Sequence, residues 1–473
     1  MPRPIAVRCT GLAGSLLLAG AAWLGGASSP WEPTVTPRTI LAGRDGVLLP
    51  LCWLAGTLLL TGAWWAGRRA VPSLRHALVT AGLWALPLLP FLPLGSYDVY
   101  SYACQGWQLA AGLDPYAGGV GLLGCPWTDA VAPTWRSSPA PYGPVFLAMA
   151  AAAAKLGGSL TGTFALLRGI AVLGVVALGW CLVRLARHTG VPPERAVWLV
   201  LACPLVPIHL ISGAHNEAVM IALLAGGLLA AVSSRAAVSG GVAVPIRALL
   251  AGVLLGLAVG VKATAVVVLP FAALLFPGLA RKAVLAGGAV AALAAVSSGT
   301  GLGLGWVAGL SGSGLSVQWT APPTAVGMTL ELFGVPGAVT GARIVGMVVL
   351  AAVLVALWLR ARDRDPVLHA GLALAATVLL APVFHPWYAL WPLTVLAVTL
   401  PRDTRWLAAP CAVAGVLCLP DGYNLALATK AQGAIVVTVL VGCLAWKVLY
   451  EAKSDSRRLA VDHGGPDRSR GVP

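Results

Sequence analysis

The sequence contains few charged residues. Only 10% of its 473 residues are Asp, Glu, Lys or Arg, and 16 are acidic, whereas 58% are hydrophobic. A soluble domain usually carries about 25% charged residues on the surface around its core. With a mean hydropathy of +0.86, this composition excludes one large soluble protein. We therefore predict an all-α, polytopic membrane protein, because helices satisfy their own backbone groups in lipid.

Cysteine and histidine spacings typical of metal sites are also absent. Seven of the nine cysteines fall in or beside apolar runs, where cysteine acts as a small hydrophobic residue. The sequence thus predicts no cofactor and no metal site, although His215, Glu217 and Asp98 could meet in space around a divalent ion. Cys104 and Cys125 differ, because both lie in a polar stretch, and they are candidates for a disulfide.

The formal net charge of +15 does not indicate nucleic-acid binding. The basic residues form short clusters between apolar blocks, without the interleaved aromatic residues that a nucleic-acid surface would need. They are better interpreted as topology signals that mark cytoplasmic connectors. These clusters are Arg68-Arg69-Arg75, Arg184-Arg187-Arg195, Arg235-Arg247, Arg281-Lys282, Arg360-Arg362-Arg364, Arg402-Arg405 and the tail from Lys447.

Apolar blocks recur along the chain, and a spanning helix needs about 20 such residues. They lie at about 10–26, 47–66, 76–94, 142–158, 163–184, 196–211, 217–233, 247–261, 264–280, 283–303, 341–359, 367–382, 387–400, 405–420 and 429–447. The first is read as a retained helix rather than a cleaved signal. The basic clusters fit an inside N-terminus only if block 142–158 does not cross, so we read it as a membrane-surface helix. The alternative is a true crossing with one span lost elsewhere.

The prediction is therefore about 13–15 transmembrane helices, fourteen in the favoured count, with both termini inside. Residues 1–450 form a single transmembrane domain, in which 95–144 is a large extracytoplasmic loop. Residues 451–473 are predicted to be a disordered cytoplasmic tail. In this topology the polar insertions other than the basic connectors meet at the outer face of the cell membrane.

The polar stretch 95–144 holds five of the eight tyrosines and three of the sixteen acidic residues. Asp98 directly follows an apolar run, where an unpaired carboxylate must be reached by water or substrate, although a helix cap is the plainer interpretation. Aromatic rings and hydroxyl groups beside a carboxylate suit a carbohydrate, and Asp98 is the candidate general base for attack by a sugar hydroxyl. The candidate substrate-binding residues are Tyr97, Tyr100, Tyr102, Gln105, Asp114, Tyr116, His215, Asn216, Glu217, Trp387 and Tyr388.

Four basic residues are candidates for binding a donor phosphate. Lys262, Arg168 and Arg343 lie near the outer ends of apolar blocks, where the positive-inside rule disfavours them, and His385 lies in the run PVFHPWYALWP. The alternative for the three cations is that they extend to the lipid headgroups or pair with Glu217 or Glu331. The alternative for His385 is an ordinary histidine at the membrane interface.

Several motifs together resemble a known family. SYDVYSYACQGWQLAAGLDPY, PYGP, CPLVPIHLISGAHNEAVM, VGVKATAVVVLPF and VFHPWYALWP, in this order, are similar to those of the actinobacterial polyprenyl-phosphomannose-dependent α-1,6-mannosyltransferases of the MptB type. These are membrane-embedded GT-C glycosyltransferases, and the resemblance covers roughly residues 51–446.

The resemblance implies a polyprenyl-phosphate-mannose donor, a lipid-linked α-1,6-mannan acceptor and a product destined for lipomannan and lipoarabinomannan. It also implies that an acid in the first large outer loop acts as the base, a role that falls on Asp98. Membrane lipids are the other expected partners. Where the family pattern leads us to expect Asp after the His-Asn pair, this chain has Glu217.

Rival interpretations stay open at this stage. Another GT-C transferase, for example one that transfers arabinose, would share the architecture. A multi-pass lipid or sugar transporter would share the helix count, but it should show repeated halves and charges near the membrane midplane. A structural subunit of an envelope complex is a third alternative.

Overall fold

The computed structural model describes residues 3–32, 35–235, 243–310, 316–400 and 405–462. Its α-helices, in chain order, are α1 (Pro4–Gly25), α2 (Pro37–Leu41), α3 (Leu48–Gly67), α4 (Leu74–Ala85), α5 (Asp98–Ala110), α6 (Val120–Leu123), α7 (Pro133–Arg136), α8 (Pro144–Gly157), α9 (Leu160–Thr189), α10 (Pro193–Leu201), α11 (Glu217–Arg235), α12 (Ala243–Val261), α13 (Leu269–Ala273), α14 (Leu279–Gly299), α15 (Gly305–Gly309), α16 (Pro322–Leu332), α17 (Ala338–Ala361), α18 (Pro366–Leu380), α19 (Leu390–Leu396), α20 (Arg405–Ala414), α21 (Leu425–Ala428) and α22 (Lys430–Asp462). Short 3₁₀ segments lie at Leu86–Leu88, Thr128–Ala130, Ala263–Val268 and Pro386–Ala389, and a π-helical segment at Val206–Ser212. These ranges contain no β-strand, and the all-α prediction is confirmed.

In the part of the chain that the structure describes, eight helices are long and apolar enough to cross a membrane: α1, α3, α9, α11, α12, α14, α17 and α22. A ninth span is obtained if α10 and the segment Val206–Ser212, which are bent by 65°, are counted together. The chain is therefore a polytopic membrane protein. Within the described ranges, however, the prediction of about 13–15 transmembrane helices is wrong by this measure of length and composition.

Proline accounts for much of this difference, because it removes a backbone donor and clashes with the preceding turn. The predicted block 76–94 is divided at the 3₁₀ segment Leu86–Leu88, which contains Pro87, and block 196–211 bends between α10 and Pro207. Block 264–280 becomes a 3₁₀ segment followed by the short α13, with Pro270 at its start. Such broken segments have free backbone groups, which are tolerated where protein rather than lipid surrounds them.

Four of the long helices form a row with shorter helices packed beside it. Helices α9, α11, α12 and α14 pack each on the next, and α8 packs on α5 and α9. Contact between α5 and α8 requires Gly106, because a Cβ there would lie 2.3 Å from the carbonyl oxygen of Ala150. The block 142–158, predicted to be a membrane-surface helix, forms α8, whose 14 residues are too few to cross a bilayer alone.

Large apolar side chains on the spanning helices are exposed, as expected for surfaces that face lipid. Val176 and Trp180 of α9 and Ile344 and Val348 of α17 are examples. At the chain end, α22 continues to Asp462, so the part of the predicted disordered tail from 451 to 462 is helical. The remainder, 463–473, lies outside the described residues.

Candidate active site

A cavity of about 250 Å³ brings together residues from distant parts of the chain. Asp98 comes from the start of α5, Tyr142 from the PYGP turn and Lys262 from the end of α12. His385 and Tyr388 come from the segment between α18 and α19. The cavity volume is close to the range of small-molecule sites.

Asp98 is the first residue of α5, and its backbone N–H donates to Ser96 Oγ at 3.0 Å. Its side chain is 14% exposed. Burial and the nearby charge of Glu217 raise the pKa of Asp98 to about 6, although Lys262 acts in the opposite direction. A carboxylate with this pKa is ionised at neutral pH and is a stronger base than an ordinary aspartate.

Lys262 directly follows α12 and forms an ion pair with Glu217, the first residue of α11. The Glu217 side chain is 0% exposed, whereas Lys262 reaches the cavity. The Lys262 ammonium also lies 4.4 Å from the ring centre of Tyr388 and 5.3 Å from that of Trp391. Burial lowers the pKa of Lys262, but Glu217, Tyr388 and Asp98 raise it by more, so the side chain remains a cation.

Glycine positions the PYGP turn beside Lys262. The backbone N–H of Gly143 donates to the carbonyl oxygen of Val261 at 3.2 Å. A Cβ at Gly143 would lie 2.2 Å from the carbonyl oxygen of Gly260, so a larger residue would push the turn away from α12. The close approach places the ring of Tyr142 5.9 Å from the Lys262 ammonium.

A stack of rings forms one side of the cavity. The Trp387 ring lies between those of His215 and His385, with ring centres 3.9 Å and 5.0 Å away. The His385 and Trp387 rings are nearly parallel, at 4°. Burial and the Lys262 charge lower the pKa of His385 to about 3, so its imidazole is neutral at pH 7 and acts as a hydrogen-bonding group rather than a cation.

His215, Asn216 and Glu217 lie behind the cavity wall and are buried. His215 Nδ1 is 3.2 Å from the Tyr102 hydroxyl, 3.8 Å from Asp98 Oδ2 and 3.7 Å from Glu217 Oε2. This network holds the groups that face the cavity in place. Among the described residues no group of three or more His, Cys, Asp or Glu side chains has the arrangement of a metal site.

Two of the predicted phosphate ligands lie outside the cavity lining. The Arg168 guanidinium donates to the carbonyl oxygens of Leu89 and Ser212, the latter at 2.7 Å, and so ties α9 to two other segments. Arg343 donates to Thr324 Oγ1 at 2.9 Å and to the carbonyl oxygen of Ser316 at 2.7 Å. Of the four candidates, Lys262 and His385 line the cavity.

Several predicted substrate-binding residues shape the loop instead of lining the cavity. The Tyr100 hydroxyl donates to the carbonyl oxygen of Ala27 at 2.7 Å, and the Tyr116 hydroxyl donates to that of Tyr142 at 2.7 Å. The Asp114 carboxylate accepts the Tyr116 N–H at 2.9 Å, which closes a turn. The Tyr100 bond thus anchors α5 to Ala27, and the Tyr116 bond ties the segment after α5 to the PYGP turn.

Tyr97, Tyr102 and Gln105 are also buried and absent from the cavity lining. The Tyr97 ring packs against Trp31, and the Tyr102 ring packs edge-on against both Tyr142 and Phe146. Trp387 and Tyr388 are therefore the predicted aromatic residues that reach the cavity itself.

Three aromatic residues of the cavity were not among the predicted site residues: Trp135, Tyr142 and Trp391. Tyr142 lies inside the PYGP motif, so its motif membership was an available signal. Trp391 follows Tyr388 by one helical turn and stacks on it with ring centres 4.2 Å apart, so spacing could have identified it. Trp135 lies in the short helix α7, and nothing in its local sequence marked it.

The candidate disulfide is formed. Cys104 of α5 and Cys125 are bonded, with their Cα atoms 5.5 Å apart. The bond ties the helix that begins with Asp98 to the segment that leads to Trp135. Both ends of this cross-link thus lie close in sequence to residues of the cavity.

Comparison with known proteins identifies the family. The chain matches the model of the α-(1→6)-mannopyranosyltransferase N-terminal domain over residues 8–278 and that of the MptB C-terminal domain over 323–449. It is 33% identical to α-(1→6)-mannopyranosyltransferase A of Mycobacterium tuberculosis over 80% of this chain and 75% of that protein. It is 35% identical to α-(1→6)-mannopyranosyltransferase B of Corynebacterium glutamicum over 70% of this chain and 60% of that protein.

A further relative from Mycobacterium tuberculosis, also named an α-(1→6)-mannopyranosyltransferase, is 31% identical over 76% of this chain and 72% of its own length. No solved structure is significantly similar to the chain. The two family models together include the segments that supply Asp98, Lys262 and His385. The chain therefore belongs to the family of α-(1→6)-mannopyranosyltransferases.

Proposed function

We propose that this membrane mannosyltransferase moves mannose from polyprenyl-phosphate-mannose to an α-1,6-mannan acceptor carried on a lipid. The observation that carries the proposal is the presence of Asp98 and Lys262 in one cavity. Transfer from a sugar phosphate needs a base for the attacking hydroxyl and a positive charge for the departing phosphate. These two side chains supply one of each.

In the proposed reaction, the acceptor hydroxyl oxygen attacks the anomeric carbon of the donor mannose. The Asp98 carboxylate takes the hydroxyl proton as the new glycosidic bond forms. The bond between the anomeric carbon and the phosphate oxygen breaks, and the electron pair leaves with the polyprenyl phosphate. This single displacement inverts the anomeric carbon and requires no enzyme nucleophile.

Lys262 stabilises the negative charge that develops on the departing phosphate. Its pairing with buried Glu217 keeps it ionised and limits its motion, so little reorganisation is needed during the reaction. Neutral His385 can donate a hydrogen bond to the same phosphate. Its ring lies on one side of Trp387, and the ring of His215 lies on the other. We assign no phosphate contact to Arg168, since its guanidinium is used by backbone carbonyl groups.

The aromatic residues bind the sugar. Trp135, Tyr142, Tyr388 and Trp391 line the cavity, and aromatic rings stack on the apolar faces of pyranose rings. The apolar side chains of Met347 and Leu350 continue the wall. We assign this apolar side to the first isoprene units of the donor, because these apolar groups are stabilised when they are removed from water.

The proposed site faces the outside of the cell membrane. The disulfide between Cys104 and Cys125 supports this orientation, because disulfides persist in oxidising compartments outside the cytoplasm. The positive-inside rule supports it as well, since Arg184 and Arg187 lie near the C-terminal end of α9, and Arg360 and Arg362 lie at that of α17. The proposed pathway is the synthesis of lipomannan and lipoarabinomannan.

The test uses purified protein with polyprenyl-phosphomannose and a short α-1,6-mannoside. We expect a product one mannose longer, with a new α-1,6 linkage, at a rate that a chelator leaves unchanged. Polyprenyl-phosphoarabinose serves as the competing donor. Transfer of arabinose but not mannose would contradict the proposed donor, and loss of activity with chelator would contradict the mechanism without metal.

A further inference from the structure

A second concave surface lies away from the active site. It encloses about 560 Å³ between α4 and α9 and shares no lining residue with the cavity that contains Asp98. Helix α10 packs against both α4 and α9. Leu201 of α10 and Val206 and Ile211 of the π-helical segment line the surface between them. We call this surface the α4–α9 groove.

The walls of the α4–α9 groove are apolar along their length. Leu78 and Leu86 of the α4 side and Val172 and Val176 of α9 are examples. The lining of α9 extends from Val172 to Arg187, which corresponds to about 22 Å at 1.5 Å per residue. This is most of the roughly 30 Å thickness of a bilayer interior, so the groove is long enough for an extended acyl chain.

One end of the groove is basic. Arg184 and Arg187 line it, and both are exposed. The Arg184 guanidinium lies 4.2 Å from the ring centre of Trp180, which is itself 54% exposed and also lines the groove. Neither arginine forms an ion pair with a carboxylate in the described part of the chain.

The opposite end of the groove can be identified from Arg168. This residue lies near the start of α9 and donates to the carbonyl oxygen of Leu89, so Leu89 marks the end distant from Arg184. The groove therefore runs from a basic end, near Leu74, to an apolar end near Leu89. Arg75, which follows Leu74 and is exposed, adds charge near the basic end.

We propose that the α4–α9 groove binds an anionic phospholipid, with the phosphate at Arg184 and Arg187 and an acyl chain along the apolar walls. Charge complementarity selects an anionic headgroup, and the length and composition of the walls select a hydrocarbon chain. A flat lipid-facing surface would not enclose such a volume. The site is independent of the proposed mannose donor, because it lies outside the cavity of Asp98.

The same lipid stabilises the structure behind the active site. Val206 and Ile211 contact the groove, and the segment that contains them also contains His209 and leads to His215. The His209 ring lies 5.1 Å from Trp387, in the ring stack of the active site. A lipid in the groove therefore contacts the same segment that carries His209 to the ring stack.

Two variants and one control test the proposal. Arg184→Gln with Arg187→Gln removes the charge at the basic end. Gly82→Leu fills the groove, and it is tolerated by the backbone because a Cβ at Gly82 has no heavy atom within 4 Å. Arg360→Gln with Arg362→Gln is the matched control, since Arg362 also lies over a tryptophan, Trp358 at 5.6 Å, but away from the groove.

Native mass spectrometry of the full chain in detergent measures binding of phosphatidylglycerol and of phosphatidylcholine with the same acyl chains. We expect unmodified protein to prefer phosphatidylglycerol by about tenfold or more, from two arginines near one phosphate. The arginine variant should lose this preference, and Gly82→Leu should bind both lipids more weakly. The control should bind them as unmodified protein does. Circular dichroism and size-exclusion chromatography check that each variant is folded.

Equal binding of the two lipids by unmodified protein would overturn the proposal. An equal loss in the control would also overturn it, because it would indicate general attraction of anionic lipid to basic ends. Unchanged lipid binding by folded Gly82→Leu would show that the acyl chain does not lie in the groove. A stable dimer that closes the α4–α9 face would replace the lipid with a second copy of the chain.

Discussion

Lys262 forms an ion pair with Glu217, whose side chain is fully buried, and at the same time faces the cavity that contains Asp98. The pair joins the end of α12 to the start of α11, two helices that are neighbours in the helix row. Glu217 therefore belongs to the scaffold of the site, and Lys262 and Asp98 are the charged groups that a substrate can reach.

Replacing Asp98 by Asn should abolish most mannose transfer. The amide cannot accept the proton of the attacking hydroxyl, and loss of a general base costs about 10²- to 10⁴-fold in rate. The measurement is the initial rate of mannoside extension by purified protein. Asp129→Asn, in the same loop but outside the cavity lining, is the control and should keep its rate. Normal transfer by Asp98→Asn would remove Asp98 from the mechanism.

The rate of mannose transfer should depend on pH through Asp98. Because burial and Glu217 raise its pKa to about 6, kcat/KM should fall as the pH decreases below 6 and the carboxylate takes up a proton. Glu217→Gln removes a negative charge that raises this pKa, so the fall should move to lower pH. A pH–rate profile of both proteins makes the comparison. An unchanged pH dependence of kcat/KM in folded Glu217→Gln would contradict an effect of the Glu217 charge on the pKa of Asp98.

The same pKa shift should affect stability in the opposite sense. Between pH 3.8 and about 6, Asp98 keeps its proton in the folded protein but releases it on unfolding. The unfolded state then binds fewer protons, so the contribution of Asp98 to stability should decrease as the pH rises through this window. Thermal unfolding at several pH values should show a smaller decrease in Asp98→Asn. An unchanged slope would indicate that Asp98 titrates normally.

Removing Lys262 should damage both folding and activity. Lys262→Met leaves the Glu217 charge buried without a partner, which costs about 3–5 kcal/mol of stability. The double variant with Glu217→Gln removes both charges and should recover much of the thermal stability, but not mannose transfer. Thermal unfolding and transfer rates are measured for both proteins. Recovery of transfer in the double variant would contradict a phosphate-stabilising role of Lys262.

Gly143→Ala should disturb the site from a distance. The added Cβ would meet the carbonyl oxygen of Gly260 at 2.2 Å, so the PYGP turn must move away from α12 and carry Tyr142 with it. Overpacking of this kind costs about 1–3 kcal/mol. Gly169→Ala on α9 is the control, because a Cβ there meets nothing within 4 Å. Equal melting temperatures for the two variants would contradict this close packing.

Breaking the disulfide should loosen the loop that supports Asp98. Cys104 and Cys125 are separated by 21 positions, and a cross-link over a loop of this order contributes about 3 kcal/mol. Cys104→Ser should therefore lower the melting temperature, and a reductant should lower that of unmodified protein but not of the variant. Cys443→Ser, at an exposed free cysteine, is the control. Insensitivity of unmodified protein to a penetrating reductant would contradict this contribution.

Part of the site could be identified from local sequence. Asp98 was marked by its place after an apolar run, and Lys262 by its place at the end of another, since an unpaired charge next to hydrocarbon is costly. His385 and Tyr388 were marked by a motif. In each case the signal lay within a few residues of the side chain, and the structure places all four in the cavity lining.

Other assignments required contacts between distant segments. Arg168 and Lys262 have similar sequence surroundings, but one donates to the carbonyl of Leu89, 79 positions away, and the other pairs with Glu217, 45 positions away. Glu217 was predicted to bind substrate, whereas its carboxylate is buried behind the cavity wall, where it pairs with Lys262. The number of spanning helices could not be predicted from hydropathy alone either, because prolines divide apolar blocks that are continuous in hydropathy.

The sequence by itself determined that this is an α-helical membrane protein of a mannosyltransferase family, because hydropathy and ordered motifs are properties of the chain alone. Tertiary structure decided which polar groups share the cavity of Asp98. That choice depends on how α5, α11 and α12 pack, through approaches as close as Gly143 to Gly260. A charge near the end of an apolar helix has several neighbours within its reach, and only packing decides whether it meets a carboxylate, a backbone carbonyl or a substrate.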